Sequence, residues 1–324
     1  MSGGVAAPGG ALTIGIDVGG TKVAGGVVDE QGRVLAQTRG DTPATDAVRI
    51  RGVIVDMVRE LAAAYPVVGV GIGAAGWVDA TRDRVRFAPH LAWRDEPLRD
   101  LVAAAVDLPV VVENDANAAA WAEFRFGAGA EGGGVDSMAL ITVGTGIGGG
   151  LVLGGRLVRG AHGFAGEPGH QATVPDGRPC RCGRRGCLEQ YASGSALLRL
   201  ARAGAAAHPE AAAGLLGLAG DAESITGPMV TTAARAGDKV ARDAFDQVGR
   251  WLGIALANLV QVLDPRLVVI GGGVADAGEL LLAPTREAYQ EALGQRGRVP
   301  AASVVVARLG GVAGVVGAAD LARE

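Results

Sequence analysis

The chain has 324 residues, enough for two domains with cores of their own, and 49% of them are hydrophobic; yet no uninterrupted apolar run reaches the ~18 to 20 residues of a membrane span. Its most apolar stretch, Trp251 to Leu263, is broken by Asn258 and Gln261. A formal net charge of -4 with no basic cluster argues against a nucleic-acid surface, so a small-molecule partner and a cytoplasmic location are expected.

Residues 1–11 read as a disordered tail without the basic start or apolar block of a signal peptide. The fold begins at Leu12 with a strand to Asp17 that ends in Gly19-Gly20-Thr21-Lys22. Strands Val23 to Asp29 and Arg33 to Thr38 complete an antiparallel meander. A helix is predicted over Thr45 to Ala64, with Val48, Val55, Met57, Val58 and Leu61 on its apolar face. Strand Val67 to Ile72 follows, then a turn at Gly73 to Gly76 and a helix over Arg94 to Val106.

A short strand, Val110 to Val112, runs into Glu113-Asn114-Asp115 and an alanine-rich helix. A carboxylate at a helix N-terminus is favoured in its ionised form by unpaired N–H groups and the macrodipole. Asp115 is therefore a candidate general base, while Asn114 or Asp115 as a mere helix cap is the competing reading. Strand Ser137 to Val143, a turn at Gly144-Thr145-Gly146 and strand Ile147 to Leu153 repeat the opening meander, which suggests a duplicated domain. Beyond Leu188 the chain is mostly helical. The clearest helix, Asp238 to Leu263, carries Val240, Ala244, Val248, Leu252, Ala255, Leu259 and Val262 at three- to four-residue steps and ends at Asp264-Pro265. Strand Leu267 to Ile270 runs into Gly271-Gly272-Gly273. Helix Ala277 to Leu293, strand Ser303 to Val306 and a last helix from Val312 close the chain.

Three glycine turns thus sit at strand ends, at Gly19-Gly20, Gly144 to Gly150 and Gly271 to Gly273. Glycine lets backbone N–H groups approach phosphate oxygens, although any one such turn is more often an ordinary tight turn. Lys22 and Lys239 are the two lysines among 30 Lys and Arg residues, so Lys22 beside a glycine turn hints at a compact charge with a task. Asp17 faces the same space and suits Mg²⁺ held through water. Gly144-x-Gly146-x-x-Gly149 satisfies the dinucleotide pattern, but Leu151 to Leu153 reads as strand where that motif needs a helix.

All three cysteines, Cys180, Cys182 and Cys187, lie close together and His170 precedes them. A Cys₃His set suits a closed tetrahedral zinc site, with unrelated reactive thiols as the competing reading; such a zinc does no chemistry and fixes a loop instead. That loop carries Glu167 and His170 before the cysteines and Glu189 after them. A histidine pinned through one ring nitrogen keeps the other for a ligand.

Gly163-x-x-Gly166-Glu167-x-Gly169-His170 followed by Cys180-x-Cys182-Gly183-x-x-Gly186-Cys187-x-Glu189 resembles the signature of the ROK family of sugar kinases and sugar-responsive repressors. Asp17-x-Gly19-Gly20-Thr21-Lys22, Glu113-Asn114-Asp115-Ala116-Asn117 and Thr145-Gly146-x-Gly148-Gly149-Gly150 fit the same family. The resemblance extends from about residue 12 to the C-terminus and is closest to the family's bacterial glucokinases. It implies the actin-like, hexokinase-type (ribonuclease H-like) α/β fold. The expected division is a small domain, 12–116, joined by a C-terminal helix over 312–324, and a large domain, 117–311, with the zinc loop at 163–190.

The resemblance further implies Asp115 as catalytic base, with Asn114, Asp115, Glu167, His170 and Glu189 as ligands of the sugar. His170, Cys180, Cys182 and Cys187 become structural Zn²⁺ ligands. ATP with Mg²⁺ is expected at Asp17, Gly19, Gly20, Thr21, Lys22, Thr145, Gly146, Gly271, Gly272 and Gly273. Glucose is the expected acceptor and a homodimer or homotetramer the expected assembly. His90 departs from the Asn common at that place in the family. The rivals are a family kinase for N-acetylmannosamine, fructose or allose, a polyphosphate-using relative, and a sugar-sensing repressor. The last needs a DNA-binding helix pair, for which the roughly eleven residues before the first strand give no room.

Overall fold

The computed structural model describes residues 10–298 and 300–324; residues 1–9 of the expected tail lie outside the described residues. The first half comprises β1 (Leu12–Val18), β2 (Lys22–Val28), β3 (Val34–Asp41), α1 (Ala47–Ala64), β4 (Val67–Ala74), β5 (Trp77–Val78), β6 (Val85–Phe87), β7 (Arg94–Glu96), α2 (Leu98–Val106), β8 (Val110–Asn114) and α3 (Asp115–Phe126). Its main sheet has the order β3-β2-β1-β4-β8, antiparallel through the meander and parallel from β1 to β4 and β8.

The second half contains β9 (Met138–Val143), β10 (Ile147–Leu153), β11 (Arg156–Leu157), α4 (Glu189–Ala192), α5 (Gly194–Ala207), α6 (Ala213–Ala219), α7 (Gly227–Arg235), α8 (Lys239–Leu263), β12 (Leu267–Gly271), α9 (Glu279–Leu293), β13 (Ser303–Val306) and α10 (Ala313–Leu321). Its sheet, β11-β10-β9-β12-β13, repeats the first position by position, with the antiparallel hairpins again followed by two parallel strands. The recurrence expected from two short meanders therefore covers whole sheets.

Each sheet buries its apolar residues against helices. Ile50, Ile54, Val58 and Leu61 of α1 close one core over Ile14, Ile16 and Ile72, and Val248, Leu252 and Leu256 of α8 close the other over Val268 and Ile270. The chain then returns: α10 packs on β1, β4 and α3. The approach is so close that a Cβ at Gly15, Gly71 or Gly317 would stand 1.9, 1.7 and 1.7 Å from the carbonyl oxygens of Val315, Ala318 and Ala118. Only glycine admits this contact, and it fixes α3 against the first sheet.

Three expectations are corrected. Arg94–Glu96 is a strand of a small sheet, β5-β6-β7, and the helix starts only at Leu98. Pro97 stands between them, and a proline restrains the residue before it to extended backbone. Val48 and Val262 are exposed, whereas Ile50 and Ile54, absent from the predicted face, are buried. Gly73 and Ala74 prolong β4, so the turn expected there is shorter, whereas Gly148 to Gly150 lie in β10 as the predicted strand Ile147 to Leu153 has them. Among the described residues no helix is long and apolar enough to cross a membrane.

Candidate active site

Parallel strands end together, and their carboxyl ends meet in the space between the two sheets. Register places Asp17 beside Gly73, Ala74 beside Asn114, and Thr142 beside Gly271. Ligand crevices of open α/β sheets form at such carboxyl ends. At the end of β8, Asn114 is the helix cap: its Oδ1 accepts the Asn117 N–H at 2.9 Å. Its Nδ2 donates to the Gly76 carbonyl at 3.0 Å and to Asp115 Oδ1 at 3.1 Å. Asp115, the first helical residue, also accepts the Ala116 N–H at 2.9 Å. Asn114 thus does the capping and steers Asp115, whose carboxylate faces two cavities at once.

The first cavity, about 280 Å³, is lined by Gly19, Gly20, Trp77, His90, Asn114, Asp115, Gly146, Glu167, His170, Arg181 and Glu189. Its volume lies at the small end of ligand pockets, and its wall of carboxylates, amide and imidazole suits a small ligand rich in hydroxyls. Glu189 Oε2 accepts the Ile147 N–H at 3.2 Å, tying α4 to the Gly144–Gly146 turn. A Cβ at Gly146 would stand 2.3 Å from that same oxygen. Arg181 Nη1 lies 3.1 Å from His90 Nδ1 at the cavity wall. Residue 90 therefore pairs with the cysteine loop.

Burial raises the Asp115 carboxyl from 3.8 to about 7, aided by the negative charges of Asp17 and Glu167 and opposed by the Ala116 N–H. The helix N-terminus was expected to keep Asp115 ionised; here desolvation outweighs it, because the carboxylate sits at the floor of the cleft among other acids. Glu167 is likewise raised to about 7 by burial and by Glu189, and Asp17 to about 6 by burial. Three acids with elevated proton affinity in one cleft mark a site where charge is poised to change.

A second cavity, about 600 Å³, adjoins the first at Gly144 and Thr145. It is walled by Gly194, Ser195, Leu197, Leu198, Gly227, Pro228, Thr231, Thr232, Arg235, Gly273, Val274 and Asp276. A third, about 200 Å³, lies under Asp17, Asp115, Thr142, Gly271, Gly272, Gly310, Gly311 and Gly314. The glycine turns predicted for nucleotide contact are therefore divided. Thr145 stands at the junction of the first and second cavities and Gly146 lines the first with Gly19 and Gly20, while Gly271 and Gly272 line the third and Gly273 the second. Thr21 and Lys22 line none of the three and are exposed. Their backbone groups serve the turn, since the Thr21 carbonyl accepts the Thr42 N–H and the Lys22 carbonyl accepts the Gly19 N–H.

Ser195, Thr231, Thr232, Arg235, Gly310 and Gly311 were missed by sequence reasoning. They come from separate segments without a shared spacing, and only the Gly227-Pro228 helix start offers a local signal.

The predicted metal ligands do come together. One ligand atom each from His170, Cys180, Cys182 and Cys187 lies within 4.8 Å of all the others. Cys182 Sγ is 3.7 Å from Cys187 Sγ, and Cys180 Sγ is 3.8 Å from His170 Nδ1. Tetrahedral zinc with Zn–S bonds of about 2.3 Å requires sulfurs about 3.8 Å apart, a separation that Cys182 and Cys187 already have. Burial and the neighbouring sulfurs push the Cys187 thiol up to about 12. Packed thiols that hinder one another's ionisation are what a bound cation relieves. Because Nδ1 faces the sulfurs, Nε2 of His170 is left for the first cavity.

The ROK family profile matches residues 13–324. Over 97% of its length the chain is 49% identical to a glucokinase of Streptomyces coelicolor, of which 98% is covered. Among solved structures, the ROK family glucokinase of Streptomyces griseus in complex with glucose and AMPPNP superimposes with a TM-score of 0.90 at 52% identity, covering 97% of this chain and 99% of that one. The ROK hexokinase of Thermus thermophilus gives 0.79 at 37% identity, covering 96% and 98%. The repeated sheets are thus the actin-like, hexokinase-type pair, and with the cysteine loop, the cleft and this full-length similarity the chain belongs to the ROK family.

Proposed function

We propose that the protein is a glucokinase that transfers the γ-phosphoryl group of ATP to the 6-hydroxyl of glucose. The observation that carries the reading is the place of Asp115, on the wall shared by the hydroxyl-suited cavity and the glycine-lined one. Asp115 receives the proton of the attacking hydroxyl, and a carboxyl raised to about 7 is near the proton affinity that suits a base at neutral pH. Glu167, His170, Glu189 and Asn114 orient the sugar. Aligning bound reactants accounts for ~7 to 11 kcal/mol of barrier, so positioning is the main contribution of the protein.

The second cavity has an apolar wall of Leu197, Leu198, Pro228 and Val274. A nucleoside fills such a wall and polyphosphate leaves it bare, which favours ATP as donor. Asp17 would hold Mg²⁺ through water, and the metal, when bound, supplies charge neutralisation on the phosphates. His170 and the three cysteines would hold Zn²⁺, which supplies rigidity to the loop. We further assign residues 12–116 with 312–324 to a small domain and 117–311 to a large one, in a cytoplasmic homo-oligomer.

The test is a screen of purified protein with glucose, mannose, fructose, allose and N-acetylmannosamine against ATP and polyphosphate. Glucose with ATP is expected to give the highest kcat/KM. Preference for another sugar, or for polyphosphate, would refute the specific assignment.

A further inference from the structure

Glu113, the residue before the cap, is 3% exposed and belongs to neither substrate cavity. Its two oxygens face different parts of the molecule. Oε1 accepts the Asn114 N–H at 3.0 Å and Asn117 Nδ2 at 3.1 Å, which gathers the first turn of α3 on both sides of Asp115. Oε2 accepts Arg159 Nε at 2.6 Å, with Arg82 Nε at 3.6 Å.

Arg159 opens the segment that leads from β11 to the acceptor ligands. Its carbonyl accepts the Ala165 N–H at 3.0 Å, closing a turn two residues before Glu167. Asn117 stands close to this segment without bonding to it, its Oδ1 lying 3.6 Å from where a Cβ at Gly166 would stand. One buried carboxylate therefore ties the turn that carries Asp115 to the turn that carries Glu167, through a charged bond on one side and Asn117 on the other. Charge-assisted hydrogen bonds of this length are the strongest and most directional in proteins.

Resting on the glucokinase reading above, we propose that Glu113 is a positioning residue for phosphoryl transfer: through Arg159 and Asn117 it sets the register between the base Asp115 and the acceptor ligand Glu167. It touches neither sugar nor nucleotide. The cavity that would take the nucleoside is built from Gly194, Thr231, Val274 and their neighbours, none of which contacts Glu113. The consequence is selective: loss of the tie disturbs the acceptor and its alignment and leaves the nucleotide in place.

The experiment compares kcat and KM for glucose and for ATP in the full-length wild type, Glu113→Gln, Arg159→Gln and the double variant. A misplacement of about 1 Å costs about a hundredfold, so Glu113→Gln is expected to lower kcat/KM for glucose about a hundredfold with KM for ATP within about twofold. The two single losses are expected not to add in the double variant, because both break one contact. Should Glu113→Gln fail to fold, Arg159→Gln carries the test alone, since it keeps the Asn114 and Asn117 bonds to Glu113. Arg159→Gln with glucose kcat/KM within about threefold of wild type, a parallel rise in KM for ATP, or additive losses would each overturn the proposal. In those cases an active wild type and an inert Asp115→Asn leave the glucokinase reading standing. A wild type inert towards glucose removes both.

Discussion

Asp115→Asn should stabilise the ligand-free protein over wild type, by a margin that widens as the pH rises. Burial and the neighbouring acids raise the Asp115 carboxyl from 3.8 to about 7. The native state therefore binds that proton more tightly than the unfolded chain does, and the associated stability is complete below about 3.8 and lost as pH rises through about 7. At about 1.4 kcal/mol per pH unit the penalty approaches about 4 kcal/mol above pH 7, of which about 2 kcal/mol accrues between about pH 5 and pH 7. Asparagine keeps a carbonyl oxygen for the Ala116 N–H and cannot ionise, so it escapes the penalty. For domains of roughly 150 to 250 residues 1 kcal/mol corresponds to ~2 to 4 °C in Tm. The Tm advantage of the variant should accordingly widen by several degrees between about pH 5 and about pH 8 in thermal unfolding without sugar, nucleotide or Mg²⁺. An advantage equal at both pH values, or a variant less stable than wild type at the higher one, would refute the electrostatic account.

The same carboxyls set an acidic limb for activity. Because Asp115 and Glu167 both titrate near 7, kcat/KM for glucose should fall below about pH 7 with a slope steeper than one; a flat profile in that range would contradict both assignments. Removing a zinc ligand with Cys182→Ser should release the metal and raise KM for glucose by about tenfold or more, leaving nucleotide affinity unchanged. Metal analysis together with calorimetric nucleotide binding checks both halves. Gly146→Ala places a Cβ where Glu189 Oε2 stands, at 2.3 Å, and should cost about ten- to a hundredfold in kcat/KM for glucose. Wild-type kinetics in that variant would show that Glu189 need not hold its place.

The chemistry of the site was legible where it is written locally. Three cysteines near a histidine state a metal geometry, and a carboxylate at a strand-to-helix junction states a position. The duplication showed through because each meander joins its strands by a short turn. What failed to show depends on distance in space. The small sheet β5-β6-β7 has strands of two or three residues, too short to display a period of two, and Pro97 turned a predicted helix into strand and helix. The wall of the large cavity is assembled from α5, α7 and the segment after β12, which share no spacing. Val262 fits the helical stripe of α8 by count alone and faces outward in its last turn. The neutral tendency of Asp115 is a property of burial among Asp17 and Glu167, which no local motif records.

On the proposed mechanism Asp115 takes the proton of the acceptor hydroxyl and is not needed to hold the sugar. Glucose binding by calorimetry and glucose 6-phosphate formation from ATP, measured side by side in wild type and Asp115→Asn, address it most directly. The variant is expected to keep a dissociation constant for glucose within about tenfold of wild type and to turn over ~10² to 10⁴ times more slowly or worse. Near-normal turnover, or a loss explained wholly by failure to bind glucose, would contradict it.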